Sequence, residues 1–384
     1  MVRCREWERS QYRRAFASRG VWSNAGRPGL RHFGNVPEIE ETRTGRRPPM
    51  GPTIHDVARL AGTSKSTVSR YLNGQQVKKA TQDALEKAIA ELNYHRNAHA
   101  RRLVMNKTYT IGIVIDDISN IFYSGMIKGI EAVARRNGYN CIFLSWTSNF
   151  DKETSFLNYL YEGQVDGLIL ASFRKRNEED VRAIRDAGYP IALIGDHCEL
   201  EGVFSVDVDN AAGIEEVVTY LHGIGHRRIG YISGQNDLSA SKYRYKGYRR
   251  TMEALGMPVR EEWVVESDWT NQGGYEAMRR LAGEADVTAV VVSSDEAAIG
   301  ALRALKELGR SVPRELSVAG FDDIPVAGWV DPALTTVRQP FRDIGTLAAE
   351  GLFRKIEGTE NTPRSHLLRP KFIVRDSCGP AEWA

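Results

Sequence analysis

"TIHDVARLAGTSKSTVSRYLNG", residues 53–74, sets two short apolar stripes on either side of a glycine. Thr53 followed three residues on by Asp56 has the form of a capping box, and Ile54, Val57, Ala58 and Leu60 make a helical stripe, so a first helix is expected to about Ala61. Gly62 permits a sharp turn, Ser64 is placed to cap a second helix, and Asn73 and Gly74 to stop it. In that second helix Val68, Tyr71 and Leu72 share the face turned to a core. The other face carries Lys65, Ser66, Ser69 and Arg70, cations and short hydroxyls with no acid among them. Two short helices joined by such a turn form a helix-turn-helix, which lays its second helix in the major groove of DNA. A third helix is expected from a cap at Thr81, burying Leu85, Ala88, Ile89 and Leu92 against the first two.

The net charge of +3 conceals a division along the chain. Residues 1–49 carry 11 Arg against 5 Glu, and residues 50–108 carry 10 Lys or Arg against 4 acids, +6 in each case; the remainder stands at −9. A basic front on an acidic body is the asymmetry expected when one end faces a polyanion. Residues 1–50, rich in Arg, Gly and Pro and without a sustained period, are expected to be a disordered Arg-rich extension. That extension reads either as an arm adding phosphate contacts or as a leader ahead of a start at Met50. The leader is preferred, because a capped helix follows Met50 at once.

At 384 residues and 42% apolar content the chain can bury large cores, which suggests two or three domains. No apolar run approaches the roughly 20 residues of a membrane span, and the arginine-studded first thirty residues lack the apolar centre of an export signal. No membrane partner and a cytoplasmic location are therefore expected. Cys4, Cys141, Cys198 and Cys378 lie far apart with no C-x-x-C pair, so neither zinc nor a disulfide framework is indicated. His55, His95 and His99 lack metal-ligand spacing, and there is no phosphate loop, H-E-x-x-H or G-x-S-x-G elbow. We expect no metal, no cofactor and no catalysis. "GIGHRRIG", residues 223–230, places its glycines before a strand, so Gly223 and Gly225 read as helix-ending residues and His226 as structural.

After the third helix comes "NAHARRLVMNKT", residues 97–108, where Ala98 to Leu103 favour a helix too short to persist alone in water. Taken with "TIHDVARLAGTSKSTVSRYLNG", the segment "NAHARRL" closely resembles the head of the LacI/GalR family of bacterial transcription regulators. The resemblance implies a hinge helix over residues 96–108 that folds on DNA, with Leu103 wedged into the minor groove and Asn97, Ala100 and Arg101 beside it. It also places Thr53, Ser64, Lys65, Ser66, Thr67, Ser69, Arg70 and Asn73 against operator DNA. The competing reading of Leu103 is a linker residue packed on the body. Thr63 stands where the family commonly has Val, and Lys65 and Ser66 occupy its most variable base-reading positions. By base chemistry Lys65 suits a guanine edge and Arg70 a guanine or a phosphate.

From Tyr109 onward, "IGIVI", "CIFLS", "GLILA" and "IALIG" alternate with helical stretches, and "RIGYIS", "AVVVSS" and "LSVAGF" form a second set. Such alternation predicts parallel sheets covered on both faces, in two lobes broken near "FSVDVDN", with a crevice beyond the carboxyl ends of the strands. The expected fold class is an α/β body of two doubly wound lobes behind an N-terminal all-α helix-turn-helix head. The head spans residues 51–95 and the body residues 109–384. The family resemblance, which runs from Thr53 to about Ser377, implies a periplasmic-binding-protein-like body whose chain crosses three times between lobes, "LTTVRQP" at 334–340 being the late crossing.

Asn120 and Phe122, in "DDISNIFY", fall at the crevice mouth, although Asn120 equally suits a loop-to-helix cap. Asp196 ends the fourth strand and reads as a hydrogen-bond acceptor for hydroxyls or as a solvated loop acid. By resemblance, Arg244 in "SASKYRYKG", Trp269 in "SDWTNQGGY" and Asp322 in "LSVAGFD" match effector-binding positions; Arg244 and Asp322 could instead form a plain interlobe salt bridge. An aromatic platform flanked by an acid and an arginine suits a sugar or sugar derivative.

The expected protein is a ligand-responsive repressor of carbohydrate-utilisation genes that binds a palindromic stretch of double-stranded operator DNA as a homodimer. The sign of the ligand's effect is not written in the sequence. A sugar-binding transport receptor is the alternative from another class.

Overall fold

The computed structural model describes residues 51–95, 107–145, 156–171, 188–195, 203–235, 238–359 and 365–381, together with Ala183 and Asp186. The 1–50 extension, the hinge positions Asn97, Ala100, Arg101 and Leu103, and the crevice candidate Asp196 lie outside the described residues. The chain divides into two compact units, at Arg96 and Asn97.

The first unit holds α1 (Ile54–Leu60), α2 (Lys65–Leu72) and α3 (Lys79–Glu91). Each helix sends one fully buried side chain to the centre, Val57, Val68 and Leu85, and Ala58 and Ala88 close the gaps between them. Ile89, Leu92, Tyr71 and Leu72 are partly buried around that centre, which accounts for the apolar stripes. The start of α3 corrects the expected cap at Thr81. The cap position is Lys78, whose carbonyl already accepts the N–H groups of Thr81 at 2.9 Å and Gln82 at 3.0 Å, so the turn closes without a hydroxyl.

The second unit begins with lobe one: β1 (Thr110–Ile115), α4 (Ser124–Arg136), β2 (Asn140–Ser145), α5 (Leu157–Tyr161), β3 (Gly167–Leu170), β4 (Ile191–Ile194) and β5 (Phe204–Val208). Lobe two follows with α6 (Asn210–Gly223), β6 (Ile229–Ser233), α7 (Ser239–Ala254), β7 (Val264–Glu266), α8 (Asn271–Glu284), β8 (Ala289–Val292), α9 (Asp295–Glu307) and β9 (Ser317–Ala319). The chain then runs through β10 (Thr336–Arg338), α10 (Phe341–Glu357), β11 (His366–Leu368) and β12 (Lys371–Ile373). Lobe one is a six-stranded parallel sheet in the order β11-β5-β4-β3-β1-β2, and lobe two a four-stranded parallel sheet in the order β7-β6-β8-β9. The antiparallel pair β10–β12 forms a separate two-stranded ladder.

Alternation along the strands feeds two cores per lobe. Ile111, Ile113 and Ile115 of β1 pack with Met126 and Ile130 of α4 and with α10, while Val114 turns to the other face, against Leu168 and Phe156. In lobe two, Val290 and Val292 face α8 and α9, and Ala289 and Val291 face α6 and α7. The expected break near "FSVDVDN" falls where β5 ends lobe one and α6 opens lobe two. Ser205 and Asp207, the polar residues of β5, are only 3% and 7% exposed, because the strand is covered on both faces and paired with β4 and β11. The short strands β7 and β11, three residues each, carry too little pattern to be read in advance.

Helix pairs on these sheets cross through glycine. A Cβ at Gly300 of α9 would lie 1.8 Å from the Asn271 carbonyl oxygen, and one at Gly274 of α8 would lie 2.0 Å from that of Ala297. The crossing of α4 and α10 repeats this device through Gly129 and Gly345. Main chain meets main chain, so a methyl group has nowhere to go. Gly300→Ala is expected to cost about 1–3 kcal/mol of stability. Gly283→Ala, exposed near the end of α8 with nothing within 4 Å, should gain about 0.5–1 kcal/mol. Urea unfolding of the two variants reads the difference, and the reverse order would contradict the close-crossing account.

Candidate DNA-reading head and ligand crevice

In the head, internal bonds separate residues that build the surface from residues that it presents. The backbone N–H and hydroxyl of Thr53 both donate to the Asp56 carboxylate, at 2.9 and 2.7 Å, and the first of these bonds holds the Asp56 carboxyl below its ordinary range. Ser64 caps α2, its hydroxyl accepting the Thr67 N–H at 3.2 Å and lying 2.8 and 2.9 Å from the hydroxyls of Ser66 and Thr67. Asn73 occupies the other end as the expected stop. Lys65, Ser66 and Arg70 are exposed and Ser69 half-buried, so the face expected to read bases is the face presented.

That face stays free of acids because the head ties up its carboxylates elsewhere. Asp56 also takes the Arg59 guanidinium, Asp83 pairs with Lys79 at 3.1 Å, and Glu86 accepts from Gln82 at 2.8 Å and from the Tyr71 hydroxyl at 2.9 Å. The Tyr71 bond ties α2 to α3 behind the reading face. Lys65 and Arg70 therefore stand beside hydroxyls alone, the arrangement that meets phosphates and guanine edges.

In the second unit, Arg244 is the centre of the crevice constellation. It is 3% exposed, midway along α7, and three elements satisfy it: Nε donates to Asn210 Oδ1 at 2.7 Å, Nη1 to the Ser293 carbonyl, and Nη2 to Asp322 Oδ1 at 3.4 Å. Its guanidinium lies 3.8 Å from the ring centre of Phe321 and 5.1 Å from that of Trp269. The Arg244–Asp322 ion pair is real, but both partners belong to lobe two, so it corrects the interlobe alternative: the acid follows β9 and reaches α7 within one sheet.

Asp322 Oδ1 also accepts at 2.7 Å from Gln339, two residues before the chain enters α10 of lobe one. Burial pushes the Asp322 carboxyl up, and Arg244 pulls against that shift. Trp269 adopts φ 71, and its indole lies against Gly234, where a Cβ would come 2.1 Å from Cε2. Trp269 Nε1 and, three residues before Arg244, Ser241 Oγ are buried polar atoms with no hydrogen-bond partner among the described residues.

On lobe one, the Asn120 side chain accepts the Phe122 N–H at 2.9 Å and caps the turn Ile121–Tyr123, the capping alternative raised by the sequence. Phe122 packs edge-on against Phe341, ring centres 4.7 Å apart. Phe341 is two residues beyond Gln339, so Phe122 is linked through the crossing segment to Asp322, Arg244 and Trp269. The two loops also feel each other electrostatically: Glu296 of lobe two is pushed up by burial, then by Asp268 and by Asp117 of lobe one.

Reading the sequence missed Asn210, Ser241, Gln339 and Asp295. Gln339 stood in the quoted crossing segment, and its polar end was the available signal; nothing local to Asp295 marks it. His226 is structural as expected. It is fully buried, Nδ1 2.8 Å from the Thr288 hydroxyl and Nε2 3.0 Å from the Gly379 carbonyl, and burial lowers its pKa. Among the described residues, no cluster of His, Cys, Asp and Glu could hold a metal, and no helix is long and apolar enough to cross a membrane.

Residues 53–97 match the pattern described as "Bacterial regulatory proteins, lacI family", and residues 218–378 match "Periplasmic binding protein-like domain". Catabolite control protein A of Priestia megaterium is 38% identical over 328 residues, 84% of this chain and 98% of the relative. A solved "transcriptional regulator CelR-cellobiose complex" is 34% identical, with a TM-score of 0.66 over 85% of this chain and 99% of that one. The lac repressor dimer bound to operator and the anti-inducer ONPF superposes with a TM-score of 0.78 at 25% identity, over 85% of this chain and 99% of that one.

The division between building and presented hydroxyls is measurable. Ser64→Ala removes the acceptor for the Thr67 N–H and should cost the head about 1 kcal/mol, whereas Ser66→Ala should leave its stability unchanged. Hydrogen exchange at the first-turn amides of α2 in the full chain reads both. Equal effects would remove Ser64 as the cap.

Proposed function

Because this chain belongs to the LacI family of bacterial regulatory proteins, and is thus a DNA-binding transcription regulator, we propose that it represses carbohydrate-utilisation genes as a homodimer on a palindromic operator. Residues 51–95 are the reading head, residues 96–108 the hinge and residues 109–384 the effector-binding and dimerising body, preceded by the 1–50 extension. Lys65, Ser66, Ser69 and Arg70 read the major groove, with Thr53, Ser64, Thr67 and Asn73 positioning the helix and meeting phosphates. Asn97, Ala100, Arg101 and Leu103 form the minor-groove hinge. The effector, a sugar or sugar derivative, is held by Arg244, Trp269 and Asp322 from lobe two and by Asn120, Phe122 and Asp196 from lobe one.

The observation that carries this reading is the acid-free, cation-bearing face of α2. The sugar assignment draws support from the CelR–cellobiose complex and from two buried donors, Trp269 Nε1 and Ser241 Oγ, that lack a partner among the described residues. Dimeric operator binding draws support from the lac repressor dimer on its operator. Trp329, 89% exposed beside Val326 at 39%, is an apolar pair that a second copy would cover. The protein carries no catalytic step; it acts in the cytoplasm, where the chromosome is. A ligand that closes the crevice shifts the spacing of the paired hinges only to the extent that it binds the two lobe arrangements unequally.

Arg70→Ala should weaken operator binding by about 1–3 kcal/mol, and Leu103→Ala should weaken specific binding far more than binding to random duplex. Gel-shift titrations at two salt concentrations measure both, and equal losses on operator and random DNA would count against the reading face and the wedge. Arg244→Ala should abolish the response of the operator complex to a panel of neutral sugars while leaving operator binding intact. An unchanged response would take Arg244 out of the effector site.

A further inference from the structure

Asp295 opens α9 with its side chain fully buried, and no described cation bonds to it. Its Oδ2 accepts the Ile324 N–H at 2.9 Å, its Oδ1 accepts the Thr336 hydroxyl, and its own N–H donates to the Phe321 carbonyl at 2.8 Å. These partners bracket Asp322 and Asp323, two consecutive non-glycine residues at φ 124 and φ 55. Such a turn persists only where its surroundings over-determine it. The carboxyl is also built into the turn's floor, since a Cβ at Gly320 would lie 2.2 Å from Oδ1.

We propose that Asp295 is the positioning residue of the crevice, a buried carboxylic acid that clamps the Phe321–Ile324 turn and so aims Asp322 at Arg244. The functional consequence rests on Asp322 being an effector contact, as proposed above. The charged groups facing Asp295 are Asp322 and Asp323 from the turn itself and Arg244 from α7. Arg244 is bonded to Asp322, and Arg338 and Arg375 are both bonded to Asp323 at 2.6 Å, so no cation remains to hold a second charge at Asp295. Burial first, then Asp322, pushes its carboxyl up to about 8, which keeps it protonated at neutral pH. The neutral acid donates or accepts without adding to the charge beside Asp322. Ionisation strengthens the bonds accepted from Thr336 and Ile324, but burial and repulsion from Asp322 outweigh that gain, so the closed turn is favoured by the neutral acid.

The sign follows from linkage. When the turn opens, Asp295 returns to an ordinary carboxylate and loses its proton, so opening becomes easier as pH rises toward the closed-state value and changes no further above it. Hydrogen exchange of the full chain without effector, corrected for the intrinsic rate and read on peptides covering 320–327, measures this. Wild-type protection of the turn should fall about tenfold per pH unit from pH 6 to about 8 and then level. Asp295→Asn, which keeps the shape and an acceptor but cannot ionise, should hold wild-type protection at pH 6 within a few-fold and show no pH dependence. Asp295→Ala should lose at least tenfold in the turn while β6 keeps its protection. A pH-independent wild-type turn, or an Asn variant that follows the wild-type profile, would overturn the proposal. If the Ala variant does not fold, the wild-type and Asn profiles still decide. No effector enters the measurement, so failure here is distinct from failure of the effector assignment, which the sugar-panel response of Arg244→Ala reads on its own.

Discussion

A guanidinium placed where water cannot reach it must find its partners in the protein, and Arg244 dictates the arrangement of the second lobe around it. Asn210 comes from the start of α6, the Ser293 carbonyl from the end of β8 and Asp322 from the turn after β9. The ends of β8 and β9 and the start of α6 are thereby drawn to one point beyond the carboxyl edge of the lobe-two sheet, the place where parallel α/β sheets hold ligands. Gln339 then ties Asp322 to the segment that leads back to α10 and lobe one. A ligand that changed the partners of Arg244 would act on that crossing segment directly.

The head follows the opposite electrostatic plan. There three of the four acids have near partners, Asp56 paired with Arg59, Asp83 with Lys79, and Glu86 hydrogen-bonded by Gln82 and Tyr71, and the cations of α2 carry no ion pair among the described residues. In the body the lobes are stiffened by helix crossings with no side chain between the main chains, α4 on α10 and α8 on α9. A close-packed lobe of this kind moves as a unit. The antiparallel pair β10–β12 stands apart from both close-packed sheets.

Much of this was legible in advance because local chemistry is short-ranged. The capping pair Thr53–Asp56, the cap Ser64 and the stop at Asn73 act within four residues, and each appears where the residue types put it. Long apolar strands such as "IGIVI" announce themselves, and the glycines before β6 end a helix as expected. The misreadings share one cause. Thr81, misread as a cap, and Asp295, passed over, are polar residues whose meaning depends on what surrounds them: Lys78 already closes the turn before Thr81, and Asp295 is buried under a turn from a strand 22 residues further on. Arg244 and Asp322 were marked as a pair, but their shared lobe and their link to Gln339 were not visible.

The sequence by itself determined the helix-turn-helix, the acid-free face of its second helix, the run of parallel strands and the residue types of the crevice. The first three follow from spacing, capping and charge, which act between near neighbours along the chain, and the crevice residues from the resemblance to a known family. Only the tertiary structure decided which polar groups are buried, that β5 completes the first sheet, and that Arg244, Asp322, Gln339 and Asp295 form one network. Desolvation and hydrogen-bond geometry depend on atoms brought together from positions far apart in the chain, and no local pattern encodes those distances.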